Sequence, residues 1–256
     1  MVLPLAVAVS CKSVEEKTEL FDKTVEEITS KYLGELRDAE NSGATEATID
    51  SMYNAAWDKV LTLSKKTIRA NRNNSLAVEA LKQIYSVLDP VELESTINSL
   101  GKENQEDEFI VSLKSLISAK KATAEGQPFI DFEVDGVKFS DFVGRGKYVL
   151  VDFWASWCGP CKQELPNIAS VYEKYAGEDF DVLSVAVWDK PEDTIAAAEK
   201  LGIVWNQIIN AQKVPTDAYG IEGIPHIILF GPDGTILKKD LRGAAIEAAV
   251  KDALGR

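Results

Sequence analysis

The run KYVLVDFWA, residues 147 to 155, constrains this chain more than any other stretch. It is a continuous apolar series of strand-forming residues, interrupted only by Asp152, and lacks the alternation of a strand with one wet face. Such a strand is buried on both sides, so helices must cover both faces of its sheet. The surrounding sequence meets that demand. FDVLSVAVW (180–188) reads as a second strand, PEDTIAAAEKLG (191–202) as a helix with Pro191 near its start, and IPHIILFGPDGTILKK (224–239) as two strands around Pro-Asp-Gly. AAIEAAVKDAL (244–254) closes the region as a helix, and FIDFEVDGVKF (129–139) alternates around an Asp-Gly hairpin signal. Strands alternating with helices place residues 126–256 in the α/β class.

Upstream the rhythm differs. Phe21, Val25, Ile28, Tyr32 and Leu36 recur at steps of three and four, as do Ile49, Tyr53, Ala56, Val60 and Leu63, and then Ala77, Leu81, Ile84 and Leu88. Phe109, Leu113 and Leu116 mark a further helix. Asp89-Pro90 reads as a helix cap followed by proline at the first helical position. Residues 12–124 are therefore expected to form an all-helical region in which each helix buries one stripe. It carries no histidine and no glycine-rich loop, and reads as a packing or docking module.

The chain of 256 residues has 28 basic and 41 acidic side chains, a formal net charge of −13. That surface repels phosphate backbones, which argues against nucleic acid as a partner. The single histidine, His226, leaves little for histidine-based metal sites or for Ser-His-Asp catalysis. The three cysteines, Cys11, Cys158 and Cys161, are too few for a disulfide scaffold.

Two of them form the C-x-x-C of FWASWCGPCKQELP (153–166), where the buried strand runs into a helix from about Gly159 to Tyr175. A pair so spaced is a redox dithiol, half of a metal site or a structural disulfide. The metal reading lacks further ligands, and a C-x-x-C in a β-α-β context reads as redox. At a helix N-terminus Cys158 would be favoured as a thiolate and could attack a disulfide, leaving Cys161 to resolve the product. Pro160 would hold the first turn, and Gly159 would leave room for a partner backbone.

VDFWASWCGPCK is similar to the active-site stretch of thioredoxins, and the following Glu164 and Pro166 resemble the TlpA/ResA branch of that superfamily. The resemblance covers residues 126–256 and implies a thioredoxin fold with a central mixed sheet flanked by helices. YGIEGIPHIILFGPDGTI resembles the second signature of the family, which implies a cis peptide between Ile224 and Pro225, facing the cysteines and pairing with substrate backbone. DKPEDTIAAAEKLGIVW falls where this branch carries an inserted strand–helix unit. The same resemblance places Asp152 as a buried carboxylate able to take the proton of Cys161, and Glu164 as a residue that tunes the cysteines. For Asp152 the alternative is a strand-end cap; for Glu164 it is a solvated helix residue. Trp157, together with Trp154, would form an apolar rim, although Trp154 reads equally as core. His226 could titrate near neutral pH beside the thiolate or be an ordinary strand residue. Lys162 reads as a surface residue.

The first eleven residues, MVLPLAVAVSC, open with ten uncharged positions. That is short of the roughly 20 residues needed to span a bilayer, but fits a signal-peptide apolar region. Ala8-Val9-Ser10-Cys11 also resembles a bacterial lipobox, which would make Cys11 a lipidation site, although no Lys or Arg precedes it. The alternative is an apolar terminus with an inert thiol.

These features lead to an exported thiol-disulfide oxidoreductase of the bacterial cell envelope or periplasm, acting on protein disulfides and needing no cofactor beyond its dithiol. Its electrons would come from a membrane donor. Gly159-Pro160 points to reduction, since thioredoxin carries that dipeptide and sits near about −270 mV against about −120 mV for DsbA. Three other readings remain: an oxidase or isomerase, a thiol peroxidase, and a binding lipoprotein whose helical half docks a partner. The peroxidase would want Pro and Thr where Val151 and Ala155 stand.

Overall fold

A computed structural model describes residues 12–256. Cys11 and the segment 1–11 lie outside the described residues. The chain divides into two compact units, one ending at Lys114 and one running from Ser115 to Arg256.

The first unit is helical. Helix α1 spans Val14–Asn41, α2 Glu46–Ala70, α3 Leu76–Lys82, α4 Pro90–Asn98 and α5 Lys102–Gln105, and α6 starts at Glu108 and runs on to Ala122. Ser13 opens α1 with a capping box, its hydroxyl accepting the Glu16 N–H at 3.1 Å while Glu16 accepts the Ser13 N–H at 2.8 Å. Asp89 caps α4 as the Asp-Pro pair predicts, accepting the N–H groups of Val91 and Glu92 at 3.0 and 2.9 Å. The centre of the unit is α3, where Leu76, Ala77, Val78, Ala80 and Leu81 are all buried. Buried Asn104 ties the α2–α3 turn by donating to the carbonyls of Arg72 and Asn74 at 2.9 and 2.8 Å. No helix among the described residues is long and apolar enough to cross a membrane.

In the second unit the Asp-Gly signal becomes a hairpin, β1 Glu133–Val134 with β2 Val137–Lys138, turned by Asp135 and Gly136 at φ 51° and 83°. The main sheet follows: β3 Tyr148–Trp154, helix α7 Gly159–Tyr175, β4 Phe180–Ala186, α8 Pro191–Leu201, β5 Asn206–Ile208, α9 Val214–Tyr219, β6 His226–Phe230, β7 Ile236–Lys238 and α10 Ala244–Leu254. Its strands lie in the order β5-β4-β3-β6-β7. β3 pairs parallel with β4 and antiparallel with β6, which makes the sheet mixed. The arrangement is the thioredoxin fold.

KYVLVDFWA forms the central strand, and its alternation now separates two cores. Leu150 and Trp154 face one side with Leu165 and Ile168 of α7 and Ile246 and Val250 of α10. Val149, Val151 and Phe153 face the other with Phe132, Phe139 and Tyr219. On that second face the Tyr219 hydroxyl donates to the Ile130 carbonyl and accepts the Ile130 N–H, each at 2.9 Å. Two elements, β5 and α9, have no counterpart in the sequence pattern. Three residues and six residues are too short to display a period, and Pro215 sits inside the first turn of α9.

Candidate functional site

The site forms where β3 ends and α7 begins. Cys158 is the N-cap of α7, in extended conformation, and its Sγ accepts the Cys161 N–H at 3.1 Å. Pro160 occupies the first turn, where its missing N–H costs nothing. Cys158 and Cys161 form a disulfide with S–S 2.02 Å and Cα–Cα 5.3 Å. Both are nearly sealed, at 3 % and 1 % exposure. When the bond is reduced, the same Cys161 N–H and the helix dipole are placed to stabilise a Cys158 thiolate. A Cβ added to Gly159 would meet nothing within 4 Å, leaving open space above the disulfide.

Facing the cysteines is the entrance to β6. The Ile224–Pro225 peptide is cis, and the Ile224 carbonyl lies 3.7 Å from Cys158 Sγ. A disulfide sulfur has no proton to donate, so this is proximity and not a hydrogen bond. Beyond it, His226 Nδ1 meets Asp240 Oδ1 at 2.7 Å, which leaves Nε2 as the buried bare nitrogen. Burial pushes the imidazole down to about 4 against the opposing pull of Asp240, so His226 stays neutral near physiological pH. It therefore does not titrate near neutral pH.

Asp152 lies at the middle of β3, opposite Ser184 of β4 and Ile227 of β6. It is fully buried on the α7 face, shared with Leu150 and Trp154, and is not a strand-end cap. Neither carboxylate oxygen has a hydrogen-bond partner among the described residues. Burial raises its pKa to about 7; the Arg242 guanidinium lowers it and Glu164 raises it further. An orphaned carboxyl poised between its two protonation states can accept or return a proton near neutral pH.

Glu164 is half-buried on α7. Its Oε2 accepts the Asn167 side-chain amide and the Gly243 N–H, both at 2.9 Å, so it is not a solvated helix residue. Trp157 is 59 % exposed and donates its indole N–H to the Trp188 carbonyl at 3.0 Å, whereas Trp154 is wholly buried and belongs to the core. Lys162 is exposed, as expected.

Several residues around the site were not singled out by the sequence. Asp189, nearly buried, accepts the Ser156 N–H and hydroxyl at 2.5 and 3.0 Å, the Thr194 hydroxyl at 3.0 Å and the Lys190 N–H at 2.9 Å. It thereby fixes the residue two before Cys158 to the loop ahead of α8. Trp188 has φ 54°, which ends strand β4 early and turns its carbonyl toward Trp157. Asp189 two residues ahead of Pro191, at a helix start, was the available signal; Trp188 and Arg242 left none.

The AhpC/TSA family model matches residues 119–239. The thiol-disulfide oxidoreductase ResA of Geobacillus thermodenitrificans is 28 % identical over 145 residues, covering 55 % of this chain and 82 % of the relative. The ResA of Bacillus subtilis is 24 % identical over 143 residues, covering 54 % and 78 %. Among solved structures, the thioredoxin domain of a thiol-disulfide oxidoreductase from Bacteroides vulgatus is 33 % identical, covering 51 % of this chain and 95 % of that one, with a TM-score of 0.43.

Proposed function

From the premise that the chain belongs to the TlpA/ResA-like thioredoxin-fold thiol-disulfide oxidoreductases, we propose that it reduces protein disulfides in the bacterial cell envelope. The observation that carries the reading is the Cys158–Cys161 disulfide at the N-terminus of α7, with the Ile224 carbonyl beside Cys158 Sγ and the unpaired Asp152 carboxyl behind.

The reduced form starts the cycle. The Cys158 thiolate attacks one sulfur of a substrate disulfide; a mixed disulfide forms, and the other substrate sulfur leaves as thiolate and takes a proton. Asp152 takes the proton of Cys161, whose thiolate attacks Cys158 Sγ. The mixed disulfide breaks, the second substrate thiol departs, and two electrons have passed to the substrate as the Cys158–Cys161 bond closes. The exposed Trp157, the open space at Gly159, the rigid Pro160 turn and the Ile224–Pro225 backbone form the surface on which an extended substrate segment lies. Glu164 acts on this chemistry through the charge it presents to Asp152. A membrane-held dithiol donor returns the electrons, and Cys11 serves as a lipid anchor.

Reduction is preferred to oxidation because of Gly159-Pro160, and to peroxidase chemistry because Val151 and Ala155 occupy the motif positions. The redox domain proper is residues 126–256, with 12–124 a helical docking region. A Cys161→Ser variant, unable to resolve, is expected to accumulate mixed disulfides on Cys158 with envelope proteins. A reduction potential near about −270 mV supports reduction, and one near about −120 mV overturns it.

A further inference from the structure

The loop from Asp240 to Gly243, between β7 and α10, bonds to both sides of the redox site. Toward the cysteine helix, the Gly243 N–H donates to Glu164 Oε2 at 2.9 Å. Toward the opposing loop, Arg242 Nη2 donates to the Pro225 carbonyl, while Nη1 donates to its neighbour Leu241 O at 2.7 Å. Asp240 Oδ1 takes the His226 Nδ1–H at 2.7 Å, and the Leu241 N–H donates to the Ile227 carbonyl at 3.2 Å. Leu241 itself is buried in the core that holds both cysteines. Four consecutive residues thus brace Glu164 of α7 against residues 225–227. Asp240 and Gly243 adopt positive φ, 54° and 53°, turning the loop so that it reaches both.

We propose that Arg242 is a positioning residue for disulfide exchange: its guanidinium fixes the Pro225 carbonyl, and with it the Ile224 backbone beside Cys158, and supplies positive charge to the buried Asp152. The proposal rests on the reading of Asp152 as the proton acceptor for Cys161. Both parts follow from one side chain with two targets. A planar guanidinium presents a fork of donors, so it can hold a carbonyl through one nitrogen while its delocalised charge acts on a second group.

The groups facing Asp152 define the electrostatic part. Glu164 comes from α7 and disfavours the carboxylate; Arg242 comes from the β7–α10 loop and favours it. From β6, His226 is opposite Phe153 and neutral. Ser184 and Ile227, across the strand pairs from Asp152, carry no charge. Removing Arg242 therefore leaves burial and Glu164 unopposed, and Asp152 ionises only at higher pH. Resolution by Cys161 should then move to higher pH while the first attack by Cys158 does not.

A chromophoric aryl disulfide separates the two steps. Cys158 attack releases one aryl thiolate, and Cys161 attack on the mixed disulfide releases the second. In stopped-flow measurements on the reduced full chain, Arg242→Gln is expected to shift the pH midpoint of the second phase upward, leaving the midpoint of the first in place. Arg242→Lys, which keeps the charge, should return the second midpoint to the wild-type value. In an Asp152→Asn background Arg242→Gln should produce no shift. The assignment is overturned if Arg242→Gln leaves the second midpoint unchanged, or if the same shift persists without Asp152. Should Arg242→Gln fail to fold by circular dichroism, Arg242→Met, which keeps the aliphatic stem and removes the charge, decides, with the same upward shift expected and no shift overturning the proposal. Insulin reduction by the wild-type protein tests the reductase reading separately. Loss of that activity with an intact second-phase shift removes the reading and keeps Arg242, and the converse removes Arg242 alone.

Discussion

Helix α1 and strand β3 are both apolar on the face they turn inward, yet they end at different depths. Of the 28 residues of α1, Phe21 alone is buried, and from Asp22 through Lys59 no residue is. β3 buries six of its seven. Helix α1 lies mainly against α2, as the edge-to-face contact of Tyr32 with Tyr53 illustrates at 5.9 Å between centroids, and over a shorter stretch against α3. A central strand has a strand on each side and a covered face above and below. The chemistry sits with the second kind of burial because it needs it. Exclusion of water is the largest cause of the raised Asp152 pKa, with Glu164 adding to it, and the core closes around the disulfide.

The sharpest test of the contrast removes the sulfur proposed as nucleophile. Cys158→Ser should abolish insulin-disulfide reduction without lowering the far-UV circular dichroism signal, and retained turnover would move the chemistry elsewhere. Next in size, Phe153→Ala in β3 should destabilise the redox unit by about 3–5 kcal/mol, measured by denaturant unfolding.

Asp152→Asn should cost activity yet alter stability in a pH-dependent way. The folded pKa of about 7 lies above the unfolded value of 3.8, so between these the folded protein holds the extra proton. Wild-type stability therefore falls as pH rises from about 4 to about 7 and is flat beyond. The asparagine variant should lack that fall and be more stable than wild type at pH 8 by on the order of 2–4 kcal/mol. Equal slopes in the two proteins would mean that Asp152 is not desolvated. The smallest effect belongs to the helical arm, where Leu33→Ala, at a position 56 % exposed, should change stability by less than about 0.5 kcal/mol.

The same contrast explains what could be read from the chain. KYVLVDFWA announced a doubly covered strand because uninterrupted apolarity has few other uses. The limits of α7 were legible because a C-x-x-C with proline in the first turn marks a helix start. Periodicity in α1 pointed to the correct face, since Val25, Ile28, Tyr32 and Leu36 do line the half-buried side, and in α2 it did so except at the exposed Tyr53, but period carries direction and not depth. β5 and α9 were invisible because neither is long enough to repeat. Of the residues around the disulfide, Cys158, Asp152 and Pro225 stood in recognisable strings, and Trp157 is exposed whereas Trp154 is buried in the core. Arg242 and Trp188 reach the site through partners far away in sequence, Pro225 and Trp157, so no local pattern marked them.

The phenol of Tyr219 has a consequence of its own. By giving a proton to the Ile130 carbonyl and taking one from the Ile130 amide, a single oxygen meets both needs of a residue outside any sheet, in the manner of one rung borrowed from a missing neighbour. Backbone groups at Ile130 that would otherwise demand a strand or ordered solvent are met from α9. Six residues that no pattern announced thereby spare the chain an additional strand, and a phenylalanine there would keep the ring and lose the rung.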